Sequence, residues 1–393
     1  MIKKTITTFL LLFVCFSVYS ADRYWVGGGS STSWGATGDT NWSTSSGGSG
    51  NASVPTSSDD VYFDANSGSG TAVIDATADC LNADFTGFEG TLEHDTGINW
   101  NVYGSLTFDS GMTYSSEWPW AYLNFAATSG SHTVTWDGVS GTSNLNFGSS
   151  GSSSATWTCT DYLAISRTVT LTSGTLTTAD VGAQYHFFNS SNTNTRTWNM
   201  GDGTIQISYN QSTPFNCSTS TNLTINGESS TLLLKNGTPV AGLVYAAMGS
   251  NTYNNVSVDS YYAAGRGYAL HGSFTCNVLT AVAAPDRIAF EAGKTITVNS
   301  FVATGSSGNE FIINSSTSAA HTLSDSSGTN EVSWCNISYS EAEGGATWDA
   351  TDNCTDSGNN SGWDFVGAPP ATPNYLMNIY GQGILRGIGG GLR

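Results

Sequence analysis

Short runs in which apolar residues alternate with Ser or Thr, each broken by a glycine turn, recur along most of this chain. The segments VYGSLTFDSGMTY (102–114), RTVTLTSGTLTTAD (167–180) and TRTWNMGDGTIQIS (195–208) carry the unit. It returns in TNLTINGESSTLLLKNGT (221–238) and KTITVNSFVATGSSGNEFIIN (294–314). Period-two alternation places successive side chains on opposite faces of a strand, so each run has one face to bury. One unit is too small to enclose a core, but stacked copies cover one another, and repetition at a few tens of residues is the mark of a solenoid. Val169, Leu171 and Leu176 fall 29 residues before Trp198, Met200 and Ile205, which gives a first register. No stretch between 21 and 366 holds a helical apolar pattern beyond about two turns. A propeller blade needs four strands in ~40–50 residues, more than these units contain. The expected fold is all-β, a single-stranded parallel β-helix of ~25 residues per coil. A β-sandwich array is the alternative.

Composition narrows the function classes. Aromatics make up 12% of the 393 residues and charged residues 10%, so the many Gly, Ser and Thr residues mark turns rather than disorder. Lys3 and Lys4 followed by an apolar run to Val18 read as a secretory signal over 1–20, cleaved near Ser20-Ala21. Cleavage would take the net charge from −19 to −21, since it removes two lysines and no acid. Such a surface repels phosphate backbones and excludes nucleic acid as a partner.

Six cysteines follow the leader: Cys80, Cys159, Cys217, Cys276, Cys335 and Cys354. None forms a C-x-x-C pair, so neither a zinc site nor a thioredoxin-like motif is indicated. They read as isolated core residues, although export would permit a disulfide, and Cys335 and Cys354 form the one close pair. The 58- to 59-residue spacings from Cys159 to Cys335 hint at a repeat.

The chain divides into a signal peptide (1–20), an entry cap (21–75), a repeat region (76–366), a Pro-rich linker (367–373) and a Gly-rich apolar tail (374–393). In the cap, Trp25, Trp34 and Trp42 are expected to cover the open first coil, with Pro55, Asp59 and Asp60 discouraging edge pairing. The tail carries Arg386 and Arg393 but no acid, and its exposed apolar residues would favour a homo-oligomer or a larger assembly.

The entry YWVGGG…NWS…SVPTSSDDVYFDA resembles the start of exported right-handed β-helix proteins, including autotransporter-passenger-like adhesins. The middle (LTFDSGMTY, RTVTLTSGTLTTAD) and the end (HTLSDSSGTNEVSWCNISYSEAEGGATW) resemble repeat-rich proteins of bacteriophages and environmental bacteria, such as tail spikes and fibres. The resemblance spans roughly residues 23–366 and implies a right-handed β-helix. It also implies a secreted or cell-surface location, with a virion as the alternative, and a surface glycan or host receptor as partner.

Two chemistries are compatible with that scaffold. Glycan binding without catalysis needs flat aromatic faces and a few polar groups. Trp118 and Trp120 around Pro119 supply one candidate set, and Tyr261, Tyr262, Arg266 and Tyr268 in DSYYAAGRGY a second. Cleavage of a polysaccharide needs paired carboxylates facing one bond. Glu93, Glu117 and Asp137 are the candidates, and Glu93 sits in FEGTLEHDTG beside Glu89, His94 and Asp95. Basic residues are sparse for a lyase. The His-Gly pair of ALHGSF resembles polygalacturonase-like enzymes, yet no ordered Asp set precedes it. A non-enzymatic binding protein is therefore the favoured expectation, with a secreted polysaccharide-degrading enzyme as the alternative. No cofactor motif appears. Calcium is the one ion suited to the closing loop, through Asp349, Asp352 and Asp356.

Overall fold

The alternating runs set their apolar members inward. In the strand Asn144–Phe147, Leu145 and Phe147 are buried while Asn144 and Asn146 stay partly exposed, and Tyr122–Phe125 repeats the pattern. The two strands lie parallel with Leu123 beside Leu145 and Phe125 beside Phe147, whose rings stack at 4.5 Å. Such an aromatic contact adds about 0.5–1.5 kcal/mol beyond its area burial. Outside, Asn146 Nδ2 donates to Asn124 Oδ1 at 2.7 Å and Asn124 Nδ2 to Asn101 Oδ1 at 2.9 Å, so the same register also builds an amide ladder.

This computed structural model describes residues 20–365 apart from 30, 36–39, 117–119, 149–150, 209–212, 237–242, 261–266 and 282–286. The expected signal peptide, linker and tail lie outside the described residues. The chain winds as a parallel β-solenoid of about 12 turns, which is the all-β architecture the alternation implies and not a sandwich array. In the first turns three faces stack separately. Asp60–Tyr62 pairs with Ala83–Asp84, Thr71–Ile74 with Thr91–His94, and Ala78–Cys80 passes via Asn99–Val102 to Tyr122–Phe125. In later turns one strand serves two faces. Thr295–Thr304 starts beside His321–Ser324 and ends beside Thr329–Ser333.

Successive turns are not of equal length. The offset is 19 residues where Val169 lies beside Phe188 but 31 where Phe215 lies beside Ala246. The 29-residue register is therefore corrected. Leu176 lies beside Trp198, 22 residues on, and Val169 belongs to a different sheet. Gly174 carries the chain between those sheets at φ +79°, and a Cβ there would stand 2.6 Å from the Ala155 carbonyl oxygen. A side chain at this turn would push two coils apart.

At the entry, Trp25, Trp34 and Trp42 are buried around Phe63, with Trp34 and Trp42 edge to face at 4.8 Å. Parallel stacking already begins at Asp60–Tyr62, within the segment read as a cap. Asp60 is thus part of a paired strand, and its carboxylate accepts from Asn82 Nδ2 at 2.7 Å. Asp59 instead caps a turn, accepting from the Thr56 amide at 2.8 Å and hydroxyl at 2.7 Å. Trp348 and Trp363 pack edge to face at 5.3 Å near the other end. The six cysteines are free thiols, all buried except the half-buried Cys354. Their even spacing is not a structural repeat, because Cys159 and Cys335 sit in strands of different sheets.

Candidate ligand-binding groove

Four neighbouring strands, Tyr122–Phe125, Asn144–Phe147, Leu163–Leu171 and Ala183–Asn189, form the floor of a surface groove of about 350 Å³. Its size lies within the range of small-ligand sites. Alternation lapses at its centre. Between inward Ile165 and Val169 three residues in succession, Ser166, Arg167 and Thr168, reach the surface. The next turn has His186 and Phe187 between inward Tyr185 and Phe188. Ile165 pairs with Tyr185 and Thr168 with Phe187, so Ser166 and Arg167 together oppose His186. This is a β-bulge, and a bulge re-aims a side chain that a regular strand would direct elsewhere.

Trp120 stands at the rim. Nine of the described tryptophans are buried, Trp334 is half-buried, and Trp120 is 58% exposed. Its backbone is nonetheless fixed, since its carbonyl accepts from the Gly97 amide at 3.1 Å and Ala121 is buried behind it. Tyr122, Asn144 and Asn146 continue the lining. The Asn144 amide is held in place, with Nδ2 donating to the Ala121 carbonyl at 3.3 Å and Oδ1 accepting from the Thr168 amide at 3.4 Å.

The electrostatics are set by Arg167 and His186. Arg167 Nη1 donates to the Ser166 carbonyl at 3.0 Å, and the guanidinium has no carboxylate partner among the described residues. His186 is held below its ordinary pKa, chiefly by burial and then by the Arg167 charge, while a hydrogen bond to the Ser166 backbone opposes both. None of the described lining residues is Asp or Glu. The groove offers an aromatic platform, amides, hydroxyls and one fixed cation. Its described lining holds no acid–base pair of carboxylates.

Of the residues singled out from sequence, Trp120 lies in this groove. Trp118, Glu117, Tyr261, Tyr262 and Arg266 lie outside the described residues. Tyr268 is fully buried in the strand Gly267–His271 and has no face to offer a ligand. Glu93 lies on the outer side of Thr91–His94. Asp137 occupies a turn at φ +46°, where its carboxylate accepts from the Ser110 amide at 2.9 Å and its own amide donates to Asp161. The groove beside Asp137 is lined by Asp161, Tyr162 and Ala164, not by Glu93. Asp137 therefore works as a turn cap.

His94 of the same motif faces inward. Its Nε2–H donates to the Ile98 carbonyl at 3.2 Å, so its Nδ1 accepts from the Tyr114 hydroxyl at 3.0 Å, and Tyr114 in turn accepts from Ser143 at 2.6 Å. Burial pushes His94 down to about 4. This Ser–Tyr–His chain is enclosed and out of a substrate's reach.

Asp349 and Asp352 border a shallow groove with Glu331, whereas Asp356 belongs to a separate turn. Asp349 accepts from the Thr351 amide at 2.8 Å, and Asp356 from the Gly358 amide at 2.9 Å and Asn360 Nδ2 at 2.7 Å. Both are turn caps. Among the described residues no three His, Cys, Asp or Glu side chains gather in a metal-binding cluster.

Arg167, His186, Asn144 and Phe187 were not visible as site residues in the sequence. The signal was the lapse itself, three polar residues between Ile165 and Val169 where alternation allows one. Comparison of the chain with protein-family models, curated proteins and solved structures gave no match.

Proposed function

We propose that this protein is a non-enzymatic extracellular binding protein, displayed on a cell surface or a virion, that holds a glycan in the lateral groove beside Trp120. The observation that carries the reading is the indole of Trp120, 58% exposed on a backbone held by the Gly97 amide and followed by buried Ala121. An aromatic ring left in water costs apolar hydration and is matched by the C–H face of a pyranose. The amides and hydroxyls around it suit the equatorial hydroxyls of a sugar. The stack of turns holds this site rigid, so binding costs little ordering of the protein. Polysaccharide cleavage is less well supported, because the described lining has no carboxylates to act as acid and base.

A glycan array probed with residues 21–393, followed by calorimetry on the best ligand, tests the reading. Trp120→Ala should weaken binding roughly tenfold while leaving the far-ultraviolet circular dichroism unchanged. Absence of binding to any glycan, or release of reducing ends from a bound one, would overturn it.

A further inference from the structure

We infer that the ligand of the Trp120 groove is an acidic saccharide whose carboxylate sits on Arg167. The inference rests on the glycan reading above and adds the charge of the ligand. Three observations carry it. The chain holds 30 acidic and 11 basic residues, yet the described lining of this groove includes one cation and no acid. The one fixed charge in the described lining is thus opposite in sign to the net charge of the chain. The cation is also placed deliberately by the backbone, since the bulge at Ser166–Arg167 inserts the extra residue that turns it outward. Finally, its orientation leaves one edge open. Nη1 is tied back to the Ser166 carbonyl at 3.0 Å, and Nε and Nη2 have no partner among the described residues. The Nε–Nη2 edge presents two parallel N–H donors, the arrangement that a planar carboxylate accepts bidentately.

The net charge of −19 does not cancel this attraction. At physiological ionic strength the Debye length is about 8 Å, so acids on distant turns are largely screened while a group in contact with Arg167 is not. His186 supplies an internal reporter. The Arg167 charge is one of the causes holding it below its ordinary pKa. A carboxylate seated on Arg167 offsets that charge and moves the His186 titration upward.

The experiment compares uronic-acid oligosaccharides with the same oligosaccharides after reduction of their carboxyl groups, using calorimetry on the full mature chain. The acidic form is expected to bind about 10- to 100-fold more tightly. Arg167→Gln should erase that difference by weakening the acidic ligand alone, and Arg167→Lys, which keeps the charge without the fork, should restore part of it. Trp120→Ala should weaken both forms. The His186 ring resonances, followed by NMR in unmutated protein, should titrate at higher pH with the acidic ligand bound. Equal affinity for the two forms overturns the acidic assignment and leaves the glycan reading intact. Failure of both to bind counts against the glycan reading itself. Acidic preference that survives Arg167→Gln removes Arg167 as the seat.

Discussion

Replacing Arg196 with Met tests how successive turns of the stack are held together over residues 190–226. Arg196 is fully buried at the start of the strand Arg196–Asn199. Its Nε donates to the Asn194 carbonyl at 2.9 Å. Its Nη1 donates to the Ser190 carbonyl and to Ser190 Oγ at 3.3 Å, and its Nη2 to the carbonyls of Thr219 at 3.1 Å and Thr221 at 2.7 Å. No carboxylate is among these partners. The cation is solvated by backbone carbonyls of two successive turns, which it pins together, and burial lowers its pKa. Met fills much of the volume but donates nothing, so four carbonyls lose a donor at roughly 1–3 kcal/mol each. Removing a buried charge with no carboxylate partner returns several kcal/mol of desolvation. Because the carbonyls already solvate the guanidinium, their loss dominates, and the expected net destabilisation is about 3–5 kcal/mol. A solenoid turn contacts only its neighbours, so the effect should be local. Hydrogen exchange read by mass spectrometry should show protection falling about 150- to 4,000-fold over residues 190–226, with residues 300–350 unchanged. Protection within tenfold of the unmutated protein over 190–226 would refute the claim that Arg196 joins these turns.

Three further outcomes follow from buried or strained groups and from the architecture. His94 and His321 are pushed by burial to about 4 and about 3. Below the unfolded value near 6.5 the unfolded chain takes up protons that the folded one refuses. Stability measured by denaturant titration should thus be nearly flat between about pH 7 and 8 and fall toward pH 4, by up to about 1.4 kcal/mol per pH unit for each histidine; His94→Gln should reduce the slope. Gly362 adopts φ +75°, and a Cβ there would lie 1.8 Å from the Ala342 carbonyl oxygen. Gly362→Ala should therefore loosen the last turn by ~1–3 kcal/mol, seen as new proteolysis near 340–365 with the rest of the stack intact. Small-angle scattering should report a rod about 58 Å long in its solenoid part, from about 12 turns at ~4.8 Å each; a near-spherical particle would contradict the fold.

The strands were legible because each depends on its own residues. RTVTLTSGTLT announces two alternating runs about a glycine, and the structure forms Leu163–Leu171 and Gly174–Thr177 around that turn. Register was not legible, since it depends on how many residues each corner consumes. Val169 meets Phe188 after 19 residues and Phe215 meets Ala246 after 31, so a constant period fitted to the sequence pairs residues from different sheets. Residue type alone does not separate roles. Asp137, Asp349 and Asp356 carry the oxygens that a catalytic or calcium site would use, and each also accepts a backbone amide in the fold. Tyr268 follows a Gly-rich stretch that reads as a loop, but it begins the inward side of a strand.

In a chain governed by period two, the positions that escape the core are those where the period fails. A regular strand gives the outside one residue for every one it buries, and several outward Asn residues here are engaged in ladders such as Asn101–Asn124–Asn146. Functional side chains need freedom from that ladder. Trp120 gains it by standing between the strands Thr113–Ser116 and Tyr122–Phe125 rather than in either. Arg167 gains it through the extra residue at the bulge, which detaches it from the pairing of Ile165 with Tyr185 and Thr168 with Phe187. The cost of such a lapse is local twist and lost ladder bonds, which a solenoid tolerates because the turns on either side remain paired. Two lapses meeting on one face, one leaving an indole and the other a guanidinium, are therefore stronger grounds for a site than the identity of either residue alone.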